Sequence, residues 1–363
     1  MGIFSRLLIE NFRNISSADL GLHDSFNLIT GENGAGKTNI LEALFFLSIG
    51  KSQRKASPRD FVNFNADSFL LKARLGNGAS AEQREAMGTR LTHAFSLNQN
   101  RLTSASELLG GVLIVHFDPD DILLSSGAPS ERRRFLNMLL SQADINYFLS
   151  LKEYNRTLLQ RNAYLKSLGR DARYLGVLTE GLIRCGAQIR LKRRRLVRAL
   201  LESAGGHLKA VSAGRETLHL DIPGDGSATV QEAESRLERE FRETGEPERA
   251  LGATLAGPHR DDLLIGINGR PARAFASRGQ LRSVALSLKL AAVDCLNGLK
   301  EGRVVFLLDD IFSELDERRC AFLFERIQGG CQVFAAVPRR PAFDLPESRK
   351  EFRVENGAVR EGP

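Results

Sequence analysis

The sequence predicts an α/β fold that is interrupted by a long helical insertion, and three observations carry this prediction. A glycine-rich loop, residues 31–38, stands between a short apolar run and the start of a helix with an apolar face. A continuous apolar run, Val304–Leu308, ends in two aspartates and is typical of a central parallel strand. Between these segments, Pro129–Ala204 has helical apolar periodicity. One compact core does not need so long a connection, so the helical stretch is expected to be an inserted arm.

Before the arm, the pattern is mainly that of strands. Residues 4–30 are expected to form strands, and further strands are expected at Ser68–Leu75, Arg90–Leu97 and Gly111–Phe117. Residues 76–88 are rich in small and charged side chains and are expected to form an exposed turn.

Within the arm, two apolar stripes, residues 147–165 and 175–189, are separated by a break at Gly169–Arg170. They predict two antiparallel helices, and they are too short for a long coiled coil. A charged helix is expected at Glu232–Arg242, followed by a polar linker over residues 243–248.

After residue 256 the α/β pattern returns, with a hairpin expected around Asn268-Gly269 and a helix over Leu281–Leu296. A further helix is expected at Arg318–Ile327 and a strand at Gln332–Val337. The predicted division of the chain is a first lobe formed by both ends and a second lobe between them: 1–118 (first lobe, N-terminal half), 119–256 (helical arm), 257–299 (remainder of the second lobe) and 300–363 (first lobe, C-terminal half).

Composition narrows the class of protein. The 363 residues carry a formal net charge of +7, which makes an acidic partner plausible without proving one. The four cysteines form no C-x-x-C pair, so they predict neither a zinc site nor a disulfide framework. The first ten residues lack a secretory apolar segment, and no apolar run approaches the ~18 residues of a membrane span. A cytoplasmic location is expected.

The glycine-rich loop has the form G-x-x-x-x-G-K-[ST], which is the pattern of a phosphate-binding P-loop. Its glycines let the backbone wrap phosphates with its N–H groups, and the helix that follows adds a favourable partial charge. We expect Lys37 to neutralise the β/γ oxygens of ATP and Thr38 to hold Mg²⁺. The residues predicted to bind the nucleotide are Gly31, Glu32, Asn33, Gly34, Ala35, Gly36, Lys37 and Thr38.

The two aspartates that follow the apolar run supply the acidic partner of the P-loop. Ligands collect at the carboxyl ends of parallel strands, so a carboxylate here is expected beside the phosphates. Asp309 is predicted to orient Mg²⁺ or its water shell, and Asp310 to polarise the attacking water. Asp310 and Lys37 are therefore the predicted catalytic residues.

A third motif, Ser277-Arg278-Gly279-Gln280, immediately precedes the helix Leu281–Leu296. A serine and a glycine at a helix N-terminus make a second anion site, which one core with one nucleotide does not need. The motif is explained if Ser277, Gly279 and Gln280 cap the γ-phosphate of a nucleotide held by another subunit. That is the arrangement of ABC-type ATPase heads, and Ser313–Asp316 fits their dimer-facing D-loop. An ATP-dependent homodimer is expected.

Together these motifs and several others resemble the RecF family over most of the chain. The resemblance implies an ABC-type ATPase head (a P-loop NTPase) with an inserted helical arm lobe and slow ATP hydrolysis linked to dimerisation on DNA. It further implies binding to single-stranded or gapped DNA, recombinase loading alongside RecR and RecO, and a part in the SOS response. The segments that carry it are Asn11–Asn14, the P-loop, Pro129–Arg133, Gln160–Asn162, Gly257–Asp262 and Leu307–Asp316.

Some positions depart from the family pattern. Gln53 stands where an aromatic is usual, and Gln332–Arg339 lacks the usual threonine-rich strand end and any switch histidine. Asp310 replaces the glutamate of many ABC ATPases. These differences put the rate of hydrolysis in question more than the binding of nucleotide.

The other signals leave alternatives open. The basic run Arg190–Arg198 predicts either phosphate contacts or a solvated helix face, and Arg132–Arg134 is equally open. His259 is interpreted as part of a hydrogen-bonded turn rather than as a catalytic group. Arg13 and Asn14 are expected either to reach the nucleotide or to form a turn. As whole functions, a structural DNA clamp of the SMC type and a transporter-type ABC ATPase are the alternatives, and the arm and the absent histidine disfavour the transporter.

Overall fold

The computed structural model describes residues 3–54, 56–78, 80–167, 171–224, 226–299, 304–327, 330–341 and 345–362. In chain order its strands are β1 Phe4–Phe12, β2 Ile15–Gly21, β3 Phe26–Thr30, β4 Ser68–Leu75, β5 Glu82–Thr89, β6 His93–Leu97, β7 Asn100–Arg101, β8 Leu113–Phe117, β9 Leu218–Asp221, β10 Leu264–Ile267, β11 Arg270–Pro271, β12 Val304–Asp309, β13 Gln332–Val337, β14 Lys350–Glu355 and β15 Ala358–Glu361. Its α-helices are α1 Lys37–Ile49, α2 Leu123–Ser126, α3 Pro129–Ala143, α4 Ile145–Lys166, α5 Ala172–Val211, α6 Val230–Leu251, α7 Ala272–Phe275, α8 Arg278–Asn297 and α9 Glu317–Ile327.

The chain forms two compact units. One combines Met1–Asp121 with Ala285–Pro363, and the other is Ile122–Val284. The sequence prediction places these divisions after residues 118 and 299. The second division lies earlier, inside α8, because the later part of that helix belongs to the first unit: the Lys289 ammonium forms an ion pair with Asp121 at 2.7 Å.

The first unit contains two sheets, and helix α1 contacts a strand of each. One sheet is antiparallel, in the order β2-β1-β4-β5-β6-β7. The other has the order β15-β14-β3-β13-β12-β8 and is parallel except for the β14–β15 hairpin. Helix α1 is buried along most of its length, as expected of a helix that is apolar on nearly every side. Strand β13 separates β3, which leads into the P-loop, from β12, which ends in the acidic pair.

The second unit is mainly helical. Helices α4 and α5 pack antiparallel, since Tyr164 near the end of α4 contacts Tyr174 near the start of α5. Towards the other end of the pair, Arg193 on α5 donates to the hydroxyl of Tyr147 on α4 at 3.2 Å. Helix α6 contacts both of these helices, and strands β9, β10 and β11 form a small antiparallel sheet. The predicted antiparallel arm helices and the hairpin at Asn268 are confirmed.

Two local predictions are wrong, and one cannot be compared. Residues 82–89 form strand β5 in the middle of a sheet, although an exposed turn was expected over 76–88. Residues 243–248 belong to helix α6, not to a linker. The predicted break at Gly169–Arg170 lies outside the described residues.

Candidate nucleotide site

The P-loop joins strand β3 to helix α1 at the carboxyl edge of the parallel sheet. Two of its glycines are required by their surroundings. A Cβ at Gly31 would lie 2.3 Å from the carbonyl oxygen of Val354. Gly36 has a φ of +120°, and a Cβ there would lie 2.6 Å from Oδ1 of Asn14. The loop is therefore in direct contact with two other segments of the first unit.

Lys37 is buried at the start of α1 and its ammonium points back over the loop. Its Nζ donates to the carbonyl oxygens of Gly31 at 2.8 Å and Glu32 at 3.0 Å. Burial lowers the pKa of Lys37, and the charges of Asp310 and Asp309 oppose that shift. A cation is thus held at the phosphate-binding position predicted from the motif.

The acidic strand places a carboxylate against the P-loop helix. Every residue of β12 is buried, and at its end Oδ1 of Asp309 accepts a 2.8 Å hydrogen bond from Oγ1 of Thr38. Burial raises the pKa of Asp309. The structure therefore brings together the two residues that the sequence predicts as metal ligands, although 38 and 309 are far apart in the chain.

Asp310 adopts an unusual backbone conformation directly after β12. Its φ is +52°, in the left-handed region, and its N–H donates to the carbonyl of Ala336 at 3.0 Å. Its Oδ1 is buried and finds no hydrogen-bond partner among the described residues. Such an unpaired acceptor, whose charge also acts on the Lys37 ammonium, is suited to accept a hydrogen bond from a water molecule.

Sequence reasoning missed a second polar cluster beside Asp309. His116 on β8 pairs in register with Leu307 on β12, so it lies on the same sheet face as Asp309. Nδ1 of His116 lies 3.2 Å from Oδ2 of Asp118. Burial opposes ionisation of Asp118, but His116 and Lys289 outweigh it and lower the pKa of Asp118 to about 2. The alternation of polar and apolar residues at the end of β8 was the only signal available in the sequence.

The turn between β1 and β2 lies against the P-loop helix. Arg13 donates to both carboxylate oxygens of the fully buried Glu42, at 3.0 and 2.8 Å, and Ser52 donates to the same carboxylate at 2.6 Å. Arg13 is therefore committed to a structural ion pair. Asn14, in contrast, donates to the P-loop itself.

The Ser277 motif forms a capping box at the start of α8 in the second unit. The N–H of Gln280 donates to Oγ of Ser277 at 3.3 Å, and the N–H of Ser277 donates to Oε1 of Gln280 at 2.9 Å. Ser277 is exposed, and Gly279 is half-buried in the first turn. The motif therefore presents an ordered helix N-terminus to solvent. In the first unit, Ser313 of the predicted D-loop donates to the carbonyl of Asp310 at 2.7 Å.

Most of the basic run on α5 is used inside the second unit. Arg190 is buried and forms ion pairs with Glu240 at 2.8 Å and Asp261 at 2.7 Å. Arg193 is buried and donates to the carbonyl of Pro258 at 2.7 Å. These two arginines cannot lie on a phosphate-contacting or a solvated face, so both readings fail for them. The side chains of the run that are exposed are Arg195 and Arg198.

The Gly257–Asp262 segment accounts for these buried charges. Asp262 forms a bidentate ion pair with the buried Arg132, with distances of 2.7 and 2.8 Å. Asp261 forms a bidentate ion pair with Arg190 in the same way. His259 lies 2.6 Å from the Tyr154 hydroxyl and 3.1 Å from the carbonyl of Thr254. These contacts make the segment a hydrogen-bonded turn, as interpreted from the sequence.

Residues 3–348 match the protein family described as "RecF/RecN/SMC N terminal domain". The chain is 32% identical to the DNA replication and repair protein RecF of Ligilactobacillus salivarius (strain UCC118), over 98% of this chain and 97% of that protein. The chain belongs to the RecF family. It is also 34% identical to the protein of the same name from Symbiobacterium thermophilum, with the same coverage. It is therefore a RecF-type protein of DNA replication and repair.

Solved structures agree with this assignment. The recombination mediator protein RecF-ATP in the RecFOR pathway superimposes with a TM-score of 0.88 at 30% identity, covering 99% of this chain and 98% of that one. An Smc head bound to the C-winged helix domain of ScpA gives a TM-score of 0.60 at 15% identity, covering 99% and 97%, and shows a shared fold. The predicted ABC-type head with a helical lobe is confirmed. No helix within the described residues is long and apolar enough to cross a membrane.

Proposed function

We propose that this chain is an ATP-dependent DNA-binding protein of recombinational repair and replication, in which two copies close around two nucleotides. The hydrogen bond between Thr38 and Asp309, at 2.8 Å beside a P-loop with a buried lysine, carries the nucleotide part of the proposal. The RecF-ATP structure to which the chain is similar supports ATP as the ligand. The proposed enzyme is a weak ATPase.

The residues where the start of α1 meets the end of β12 fit Mg²⁺. Thr38 and Asp309 offer hard oxygen donors, and Mg²⁺ in nucleotide sites takes one or two protein oxygens together with phosphate oxygens. When bound, the ion neutralises charge on the β- and γ-phosphates. Lys37 and the loop N–H groups bind the same phosphates. Oδ1 of Asp310 accepts a hydrogen bond from an O–H of the attacking water.

Asp309→Asn and Asp310→Asn are expected to fail differently. Asp309→Asn should weaken the Mg²⁺-dependent part of ATP binding, because an amide replaces an anionic ligand. Asp310→Asn should bind ATP normally but hydrolyse it at least about a hundredfold more slowly, the usual scale for losing a general base. Phosphate release and nucleotide affinity measure these effects. Asp120→Asn, at an exposed aspartate, is the control, and a parental rate for Asp310→Asn would contradict its role.

The exposed start of α8 supports the dimer. Ser277 and Gln280 order an N-terminus of a long helix, and such an end favours an anion. In the proposed dimer, Ser277 and Gly279 of one copy contact the γ-phosphate held by the P-loop of the other. ADP lacks that phosphate, so only ATP gains this contact and can shift the monomer–dimer balance.

Ser277→Arg is expected to bind ATP with parental affinity but to remain a monomer. Losing one charge-assisted contact costs about 1.5–3 kcal/mol, which weakens association about tenfold or more. DNA binding should weaken with it, because a dimer presents two basic surfaces to one backbone. Sedimentation and DNA titration measure both effects. Ser235→Arg adds the same side chain at an exposed position of α6 and should leave both unchanged. A dimeric Ser277→Arg protein would refute the assignment.

For DNA, the proposal uses Arg195 and Arg198, the exposed members of the basic run. Single-stranded or gapped DNA is the proposed substrate, and mediator proteins of the RecR and RecO type are the proposed partners, with recombinase loading and the SOS response as the setting. The similar RecF-ATP structure is that of a recombination mediator protein in the RecFOR pathway, which supports these partners. An SMC-like clamp is less favoured, since α4 and α5 are a short pair of 22 and 40 residues.

A further inference from the structure

Two segments that are remote in sequence from the P-loop donate hydrogen bonds to its carbonyl oxygens. Nδ2 of Asn14, in the β1–β2 turn, donates to the carbonyl oxygens of Gly34 and Ala35, each at 3.1 Å. The N–H of Gly357, in the β14–β15 turn, donates to the carbonyl of Ala35 at 2.9 Å. The carbonyls of Gly34 and Ala35 therefore face donors from the protein rather than the place where the motif predicts the phosphates.

The amide of Asn14 has one orientation that satisfies its surroundings. Its Oδ1 accepts a 2.7 Å hydrogen bond from Nδ2 of Asn39, in the first turn of α1. Oδ1 of Asn39 in turn accepts from the guanidinium of Arg54 at 3.3 Å. The amide nitrogen of Asn14 faces two carbonyl oxygens, and its amide oxygen faces the donor of Asn39. A flipped Asn14 would therefore place its oxygen against the two carbonyl oxygens. The chain of contacts fixes the amide as well as the loop.

Two glycines lie so close to Asn14 that a side chain at either position would clash with it. A Cβ at Gly357, where φ is +80°, would lie 2.0 Å from the backbone oxygen of Asn14. A Cβ at Gly36 would approach the side-chain oxygen of Asn14 to 2.6 Å. Both contacts require glycine, so the β1–β2 turn is wedged between the P-loop and the C-terminal hairpin.

Holding a carbonyl also aims the N–H on the other side of the same peptide. The peptide unit is planar and trans, so the N–H of Gly36 points opposite to the carbonyl of Ala35. Across the described part of the chain, the N–H groups of Gly34, Gly36, Lys37 and Thr38 have no hydrogen-bond acceptor. Such convergent free donors are the anion-binding element of a P-loop.

We propose that Asn14 and Gly357 are positioning residues for nucleotide binding, which set the P-loop N–H groups before the phosphates arrive. The proposal rests on the nucleotide site of the proposed function. It makes the C-terminal hairpin, Lys350–Glu361, part of that site although none of its side chains needs to touch the nucleotide. Preorganised donors bind an anion without a further cost of ordering the loop.

The test is the affinity of the full-length protein for fluorescent ATP and ADP, measured well below each variant's unfolding temperature. Asn14→Ala and Gly357→Ala are each expected to weaken both nucleotides about tenfold, the equivalent of one or two hydrogen bonds. The affinities for ATP and for ADP should fall by the same factor, since both nucleotides place phosphates over the loop. Asn39→Ala, which leaves Asn14 in place but frees its amide, should give a loss of about threefold.

Asn268→Ala is the matched control. Its side chain likewise bonds to turn backbone, accepting from the N–H of Thr217 at 2.8 Å and donating to the carbonyl of Arg215 at 3.3 Å, but in the second unit. It should lower the unfolding temperature without changing nucleotide affinity. Parental affinity in folded Asn14→Ala and Gly357→Ala would overturn the proposal. If Asn14→Ala does not fold, unchanged Asn39→Ala and Gly357→Ala proteins overturn it. A parent protein that binds neither nucleotide would instead overturn the nucleotide site itself, and the positioning role with it.

Discussion

Replacing Lys37 by alanine is expected to weaken ATP binding by at least about a hundredfold while the protein stays folded. The Lys37 ammonium is the cation that the structure holds at the P-loop, within 3.0 Å of two loop carbonyls. In the complex it would exchange these carbonyls for phosphate oxygens. Losing two charge-assisted contacts to phosphate costs about 3 kcal/mol, and each 1.4 kcal/mol is tenfold in affinity.

The fold should tolerate this change because, within the described part of the chain, Lys37 makes no ion pair with a buried carboxylate. Its hydrogen bonds are to loop carbonyls, and removing it also removes a desolvated charge. Calorimetric titration with ATP and the unfolding temperature without nucleotide separate the two effects. Lys152→Ala, at an exposed position of α4, is the control. A folded Lys37→Ala protein with parental ATP affinity would show that the nucleotide lies elsewhere.

Arg161→Met is expected to give the largest loss of stability, about 3–5 kcal/mol, the range for breaking a buried ion pair. The guanidinium of Arg161 lies 2.6 Å from Oε2 of Glu248, and both side chains are almost fully buried. It also donates to Thr254 at 2.8 Å and packs over the ring of Phe241. Methionine fills most of the volume but leaves the carboxylate of Glu248 buried without its cationic partner.

The pairing can be isolated with a double variant. Arg161→Met combined with Glu248→Gln removes both charges, and an amide oxygen at position 248 can still accept from the N–H of Leu255. This double variant should recover most of the loss, because the uncompensated carboxylate is gone. Denaturant unfolding followed by circular dichroism measures each variant. Arg195→Met, at an exposed arginine of α5, should change the free energy of unfolding by less than about 0.5 kcal/mol. A loss below about 1 kcal/mol for Arg161→Met would contradict the role assigned to the pair.

The parts of the fold that the sequence predicted are those with strong local signals. Strand β4 was expected at its observed bounds, Ser68–Leu75, because its apolar residues alternate clearly. Strand β5 was missed because its two buried side chains, Arg84 and Ala86, include a charged one. Arg84 is buried since it donates to the carbonyls of Leu47 and Ser48 at the end of α1. No local pattern announces such a partner.

The same limit applies to the site. Thr38 and Asp309 were predicted to meet because strand ends of a parallel sheet share one edge. Arg190 and Arg193 were assigned to a surface because a run of charges predicts exposure, whereas their partners Asp261 and Pro258 lie far along the chain. The bond from Gly357 to the P-loop was also invisible, since the C-terminal hairpin had no motif.

The most direct test of the dimer proposal is sedimentation of the unmodified protein with ATP, with ADP and without nucleotide, each in the presence and absence of gapped DNA. The γ-phosphate is the only group that the exposed start of α8 could gain from ATP and not from ADP. The protein is therefore expected to sediment as a dimer with ATP and as a monomer with ADP or without nucleotide, and gapped DNA should strengthen the ATP dimer. A protein that remains monomeric with ATP, both with and without DNA, would contradict the account.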